Sequence, residues 1–326
     1  MNKKFSLFAI RQLFNCIHNQ NLYMKKTVNF LMATIILLPI AAYFLGTPPS
    51  DLQINIIKET AWGLLAVIGF TFVVGQLTGN NSQVDKLWSI VPAPYAWYMT
   101  YKGGWDERMV LMSVLVSIWA ARLTFNFARR GGYSWKFWEG EEDYRWEVLR
   151  QRPGFKNPIV WLIFNLFFIC FYQNTLIFLF TVPVITGLAE NANPLGIIDY
   201  ILAAIYVGLV IMEFVADQQQ YDYQTEKYRR KNAGEDLGPY ADGFITTGLW
   251  SKMRHPNYAA EQAIWIVFYL FSVAATGEWI NWSIAGCVLL VILFKGSSNF
   301  SEEISAKKYP KYTEYQKKVG RFLPKL

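Results

Sequence analysis

Histidine is nearly missing from this chain: His18 and His255 are the only two among 326 residues. A histidine-rich metal site is thereby excluded. Cysteine is scarce too. Cys16, Cys170 and Cys287 lie far apart with no C-x-x-C pair, so no disulfide framework or thiolate metal site follows from them. Cys170 and Cys287 fall inside apolar runs and read as small hydrophobes. Charge is thin as well: Asp, Glu, Lys and Arg make up 17% of the chain, against about 25% in an average soluble domain. That is too little polar surface to wrap a water-soluble fold. There is no G-x-G-x-x-G after a strand pattern and no G-x-x-x-x-G-K-[ST], so any nucleotide cofactor binds without a Rossmann or Walker loop. Internal repeats, low-complexity tracts and a second soluble domain are also absent. The net charge of +7 is spread over loops, which speaks of membrane orientation and not of nucleic acid.

What the chain has in excess is apolar: 53% of its residues are hydrophobic and 17% aromatic. A bilayer needs about 20 such residues per helix. Eight segments, 28–45, 60–77, 88–101, 109–126, 158–187, 196–216, 259–276 and 279–295, predict an all-α polytopic membrane bundle of seven to eight transmembrane helices. The third is short and carries Pro92 and Pro94, which kink it. The fifth is too long for a straight crossing and must tilt, bend or include an interfacial piece. Lys and Arg collect before the first segment, in 127–157, in 217–258 and in the tail, whereas 187–195 and 277–278 have none. Eight crossings put every basic segment on one side, which makes both termini cytoplasmic; removing the third crossing breaks that parity. Residues 1–26 read as a basic cytoplasmic segment. M-K-K-T-V-N-F-L-M from Met24 is a second plausible start and also has the basic-then-apolar order of a signal peptide, without a clean A-x-A site. Residues 27–326 read as one domain.

Ionisable groups within such spans are functional candidates because burying them in lipid is costly. Arg122 in S-I-W-A-A-R-L-T-F is one, unless its stem snorkels to the interface. Glu213 and Asp217, spaced i, i+4 and followed by Gln220, Tyr221 and Gln224, share a helix face that lines a cavity or a helix contact. The stretch from Trp135 to Arg152 mixes tryptophans with charges. It predicts an interfacial amphipathic helix with Trp138 and Trp146 at headgroup level, as an anchor or as a lid.

The densest polar group is W-S-K-M-R-H-P-N-Y-A-A-E-Q-A-I-W, Trp250 to Trp265. Proline is favoured at the first helical position, so a span begins near Pro256 and its first-turn N–H groups form an anion site. Lys252, Arg254 and His255 surround it with donors, while Asn257 and Glu261 present an amide and a carboxylate. The set suits a nicotinamide dinucleotide and, less well, S-adenosylmethionine. It is equally what a helix cap with snorkelling cations would show.

G-L-W-S-K-M-R-H-P-N-Y-A-A-E resembles the carboxy-terminal signature of the steroid 5-alpha-reductase family, G-L-[FW] followed by N-[FY]-x-x-E. It is also similar to the R-H-x-N-Y element of the sterol reductases. The tail Glu302 to Pro324, N-S-Q-V-D-K-L-W-S-I-V-P (81–92) and E-D-Y-R-W (142–146) resemble a membrane branch grouped with those reductases, so the likeness runs from about residue 80 to the end. It implies NADPH in a cytosol-facing pocket built by the carboxy-terminal half, 158–326. Trp250 belongs to the signature, and Asn257, Tyr258 and Glu261 would contact the nicotinamide end, with Arg254 and His255 close by. Asp217, Tyr221 and Arg229 would meet the adenosine-phosphate end; Glu303, Tyr309, Tyr312 and Arg321 would close the pocket. Ala260 replaces the family's usual glycine, and Glu302–Glu303 its His–Tyr pair.

The expected activity is NADPH-dependent reduction of a C=C bond conjugated to a carbonyl in a steroid-like or isoprenoid lipid. Asp85, Tyr95 and Glu213 are the candidate proton or hydrogen-bond donors. The alternative is an S-adenosylmethionine-dependent methyltransferase of the isoprenylcysteine or phospholipid type, which shares R-H-P-x-Y and a similar tail but usually lacks the Asn. A lipid-binding protein with a decayed cofactor site is a third reading. The expected partners are a lipid-soluble small molecule and membrane lipids.

Overall fold

A computed structural model describes residues 26–136 and 140–325. The amino-terminal segment, including Met24 and the signal-like start, and Trp138 lie outside the described residues. Among those described, seven helices are long and apolar enough to span a membrane. They are α1 (Lys26–Leu45), α2 (Asp51–Thr78), α5 (Glu107–Ala128), α7 (Pro158–Leu188), α8 (Ile197–Ala233), α9 (Pro256–Thr276) and α10 (Ile284–Lys308). Shorter helices are α3 (Gln83–Trp88), α4 (Pro92–Lys102), α6 (Tyr144–Arg150) and α11 (Tyr312–Lys318). No strand is present among them. The chain is an integral multi-pass membrane protein.

The weak third segment is not a full span. Pro92 opens α4, whose 11 residues rise only about 16 Å at 1.5 Å per residue. Yet the chain does pass through the bundle here. Ser89 Oγ meets Tyr133 Oη at 2.7 Å near the end of α5, while Thr100 Oγ1 meets Ser113 Oγ at 2.8 Å and the Met109 carbonyl at 3.2 Å near its start. The described chain therefore traverses the bundle eight times, seven times by long helices, and Lys26 returns to the same end as the tail.

Segment five accommodates its length by changing helical pitch. α7 opens on Pro158 with Asn157 as its cap, widens to a π turn over Asn165–Tyr172 and tightens to 3-10 geometry over Val182–Leu188. α8 is 37 residues long, about 55 Å against a hydrocarbon core of about 30 Å. Its last turns, carrying Lys227, Arg229 and Arg230, therefore project into water at the basic end. α9 is the most enclosed span, packed between α8 and α10. Trp119, Phe180, Tyr206, Trp265, Phe268 and Phe271 fill the space around it, all essentially inaccessible. α10 crosses α7 at Gly286, where a Cβ would stand 2.2 Å from the Leu179 carbonyl carbon and oxygen. A side chain there would hold the two backbones apart.

At the end away from the basic loops, Arg108 clamps α5 to α8. Its Nε and Nη2 reach the two Asp199 oxygens at 2.8 and 3.0 Å, and its remaining N–H groups take the carbonyls of Asn193 and Pro194. Cys170 and Cys287 are buried free thiols within spans.

Candidate functional site

The basic end holds a cavity of about 1540 Å³. Its polar wall is set by α5, α8 and α9. Arg122 of α5 faces three carboxylates: Glu213 Oε2 at 2.7 Å, Asp217 Oδ2 at 3.0 Å and Glu261 Oε2 at 3.6 Å. The Arg122 head is therefore ion-paired and does not snorkel to water. Asp217 also accepts from Asn126 Nδ2 at 2.8 Å and Asn257 Nδ2 at 3.2 Å. Each oxygen of Glu261 takes an indole N–H, from Trp119 at 2.8 Å and Trp265 at 3.1 Å. The face predicted from Glu213, Asp217 and Gln220 does line the cavity, and the Gln220 Oε1 is buried without a partner.

The start of α9 is where the sequence places it, with Pro256 at the first position and His255 as the cap residue. Its cations are not free, however. Arg254 gives Nε to Glu302 Oε1 at 2.7 Å and bonds the tail carbonyls of Gln316 and Val319. His255 Nε2 lies 3.0 Å from the same carboxylate. Arg321 Nη2 and Gln316 Nε2 satisfy Glu302 Oε2 at 3.0 and 2.9 Å. Glu302, standing where the reductase tail has a different residue, gathers these groups and docks the tail onto α9. Arg254 and His255 are thus spent on structure before any anion arrives, and Lys252 is exposed.

The third wall is the 141–146 segment. Trp146 is 6% exposed and donates its indole N–H to Asp85 Oδ2 at 2.9 Å, so it plugs the cavity wall and is not a headgroup anchor. Burial raises the Asp85 carboxyl above its ordinary range, and the nearby Asp143 charge adds to this. For Asp143 burial acts in the same upward direction, but the Arg145 fork outweighs it and holds the group low.

Asp85, Glu213, Asp217, Trp250, Arg254, His255, Asn257, Tyr258, Glu261, Glu303 and Tyr312 all line the cavity. The other candidates stand off it. Tyr95 is buried in the apolar core with its ring 5.6 Å from Phe178. Tyr221 stacks under Arg129 at 4.5 Å. Arg229 is exposed and paired to Glu226 and Glu235 at 2.7 and 2.8 Å. Tyr309 packs on Phe244, and Arg321 sits behind Glu302. Asp217 sits beside Asn257, not at a remote adenosine end. Nor is the cavity built by the carboxy-terminal half alone: Lys26, Leu31, Asp85 and Arg130 also line it, and Arg122 backs it. Sequence reasoning missed Trp119, Trp265, Asn126 and Arg130. The first two stand three and four residues from Arg122 and Glu261, but tryptophan in an apolar helix carries no signal that its N–H is engaged.

Residues 71–319 match the family described as "Protein of unknown function (DUF1295)", and the chain belongs to that family. It is 38% identical over 262 residues to "Uncharacterized protein C594.04c" of Schizosaccharomyces pombe, covering 76% of this chain and 74% of that protein. No solved structure matches.

Proposed function

We propose that this member of the family is a membrane-embedded reductase that uses NADPH to saturate a C=C bond conjugated to a carbonyl in a steroid-like or isoprenoid lipid. The supporting observation is the single cavity of about 1540 Å³ with an acid–amide wall and apolar walls from α1, α7 and α10. Pockets for one drug-sized ligand hold about 300–1,000 Å³, so this one accommodates a cofactor and a lipid together. The residues fit the cofactor. A carboxamide needs a donor and acceptors, which Asn257, Glu261 and the unpartnered Gln220 oxygen offer. Lys26, Arg130 and Lys295 line the cavity for the phosphates.

When bound, the reduced nicotinamide supplies a hydride. Arg122 and the two indoles keep Glu261 fixed as an acceptor, Asn257 orients the amide, and the 141–146 wall excludes water. The basic end faces the cytoplasm in this reading, as the Lys and Arg distribution favours, with both termini on that side.

One observation favours the methyltransferase reading. Eight acidic residues line the cavity (Asp85, Glu141, Glu142, Asp143, Glu213, Asp217, Glu261 and Glu303) against five basic ones (Lys26, Arg130, Arg145, Arg254 and Lys295). A formal excess of carboxylates suits a cationic cofactor such as S-adenosylmethionine. Thermal unfolding of the detergent-purified protein with NADPH, NADH or S-adenosylmethionine separates the two. A ligand at about 100 times its Kd stabilises by roughly 2.7 kcal/mol, a shift of several degrees. Stabilisation by NADPH alone supports the reductase; by S-adenosylmethionine alone, the methyltransferase; by none, neither.

A further inference from the structure

Two stretches noted in the sequence, N-S-Q-V-D-K-L-W and E-D-Y-R-W, interlock in space. The Asn81 backbone N–H and Nδ2 both donate to Glu142 Oε1, at 2.7 and 3.0 Å. The Asp143 N–H donates to Ser82 Oγ at 2.8 Å, and Trp146 Nε1 to Asp85. Asp143, fixed in this way, takes Arg145 by Nε and Nη2, both at 2.8 Å. The third arm of the fork, Nη1, has no hydrogen-bond partner among the described residues. Arg145 lies within the protein but retains 28% exposure and lines the cavity.

Tyr258 is held as rigidly. Its ring stacks on His255 at 5.3 Å and meets Phe294 edge-on at 4.8 Å. Its hydroxyl lies within electrostatic reach of Arg145 and has no hydrogen-bond partner among the described residues. A guanidinium N–H and a phenol O–H, both preorganised and both unspent, therefore share one region of the cavity. Arg254, by contrast, is consumed by Glu302.

Resting on the reductase reading, we infer that Arg145 and Tyr258 are the pair that receives the substrate's carbonyl oxygen. The conjugated substrate accepts a hydride at its β-carbon from the reduced nicotinamide. The C=C electron pair shifts toward the carbonyl, and the oxygen becomes an enolate held by the Arg145 N–H and the Tyr258 O–H. The α-carbon then takes a proton from water and the carbonyl re-forms, so one hydride and one proton have added across the double bond. Fixed donors aimed at developing charge are a large catalytic contribution. Tyr258 is thereby assigned to the substrate and not, as the family resemblance implies, to the nicotinamide.

The test uses the full chain in detergent with progesterone and citral, a steroid enone and an isoprenoid enal, as probes. A carbonyl gripped by two donors moves the probe's absorption band to the red on binding. Tyr258→Phe keeps the ring packing, so its fold is preserved. It is expected to abolish most of the red shift and lower kcat about 10²–10³-fold, the usual loss of one such donor, while leaving NADPH-induced thermal stabilisation unchanged. Arg145→Gln is expected to do the same, and Arg145→Lys to rescue partially. An unchanged kcat and band position in Tyr258→Phe overturns the pair, as does a native protein that binds a probe without a red shift. Loss of NADPH stabilisation in Tyr258→Phe reassigns that residue to the cofactor and also overturns it. A native protein that neither gains stability from NADPH nor reduces either probe overturns the reductase reading itself.

Discussion

Replacing Arg122 with Gln tests the central charge cluster most directly. Asp217 retains Asn126 and Asn257, and Glu261 retains two indole donors. Glu213 keeps nothing: its Oε2 has the Arg122 guanidinium at 2.7 Å and no hydrogen bond from elsewhere among the described residues. Both side chains are 6% exposed. Removing one partner of a buried ion pair costs about 3–5 kcal/mol because the other charge is left uncompensated. At about 2–4 °C per kcal/mol for larger domains, the unfolding midpoint in detergent is expected to fall on the order of 10 °C. Arg122→Gln combined with Glu213→Gln removes the stranded charge and is expected to recover roughly 1–3 kcal/mol, the coupling typical of contacting residues. The assay is thermal unfolding of the native protein, both single variants and the double variant. A double variant as unstable as the sum of the singles refutes the pairing. A single variant as stable as the native protein refutes the whole cluster.

Gly286→Ala puts a methyl group 2.2 Å from the Leu179 backbone; overpacking costs about 1–3 kcal/mol, read as a lower unfolding midpoint, and no change would mean that α7 and α10 do not cross there. Trp119→Phe removes one donor from Glu261 and is expected to cost about 1–3 kcal/mol and to shrink the NADPH-induced shift; a full-sized shift argues against Glu261 at the cofactor. Asp85 supplies a pH test. Its folded-state carboxyl is held above the ordinary range, so its contribution to stability is complete below that range and is lost as pH rises through the raised value. Midpoints measured across mildly acidic to neutral pH are expected to decline in the native protein and to flatten in Asp85→Asn; parallel curves would show that Asp85 is not the titrating group.

Composition and hydropathy alone determined the membrane class, the helical architecture and the number of passages. Lipid leaves no other way to satisfy the backbone, and apolar run length is a local property. The parity of the Lys and Arg loops even required the third passage, although Pro92 and Pro94 make it too short to register as a span. The start of α9 at Pro256 and the cavity-facing stripe of Glu213, Asp217 and Gln220 were legible for the same reason: a proline preference and helical spacing are local. Which charges are available was not local. Arg254 and His255 look like anion donors until the tail, about 50–70 residues downstream, brings Glu302 and its own carbonyls onto them. Trp146 looks like an interfacial anchor until α3 presents Asp85 to its indole. Arg122, Glu213, Asp217 and Glu261 come from three helices, and only their packing decides that one guanidinium serves three carboxylates. Tertiary structure alone settled which donors are spent on holding the fold and which, like Arg145 and Tyr258, remain free, because hydrogen-bond satisfaction depends on partners remote in the chain.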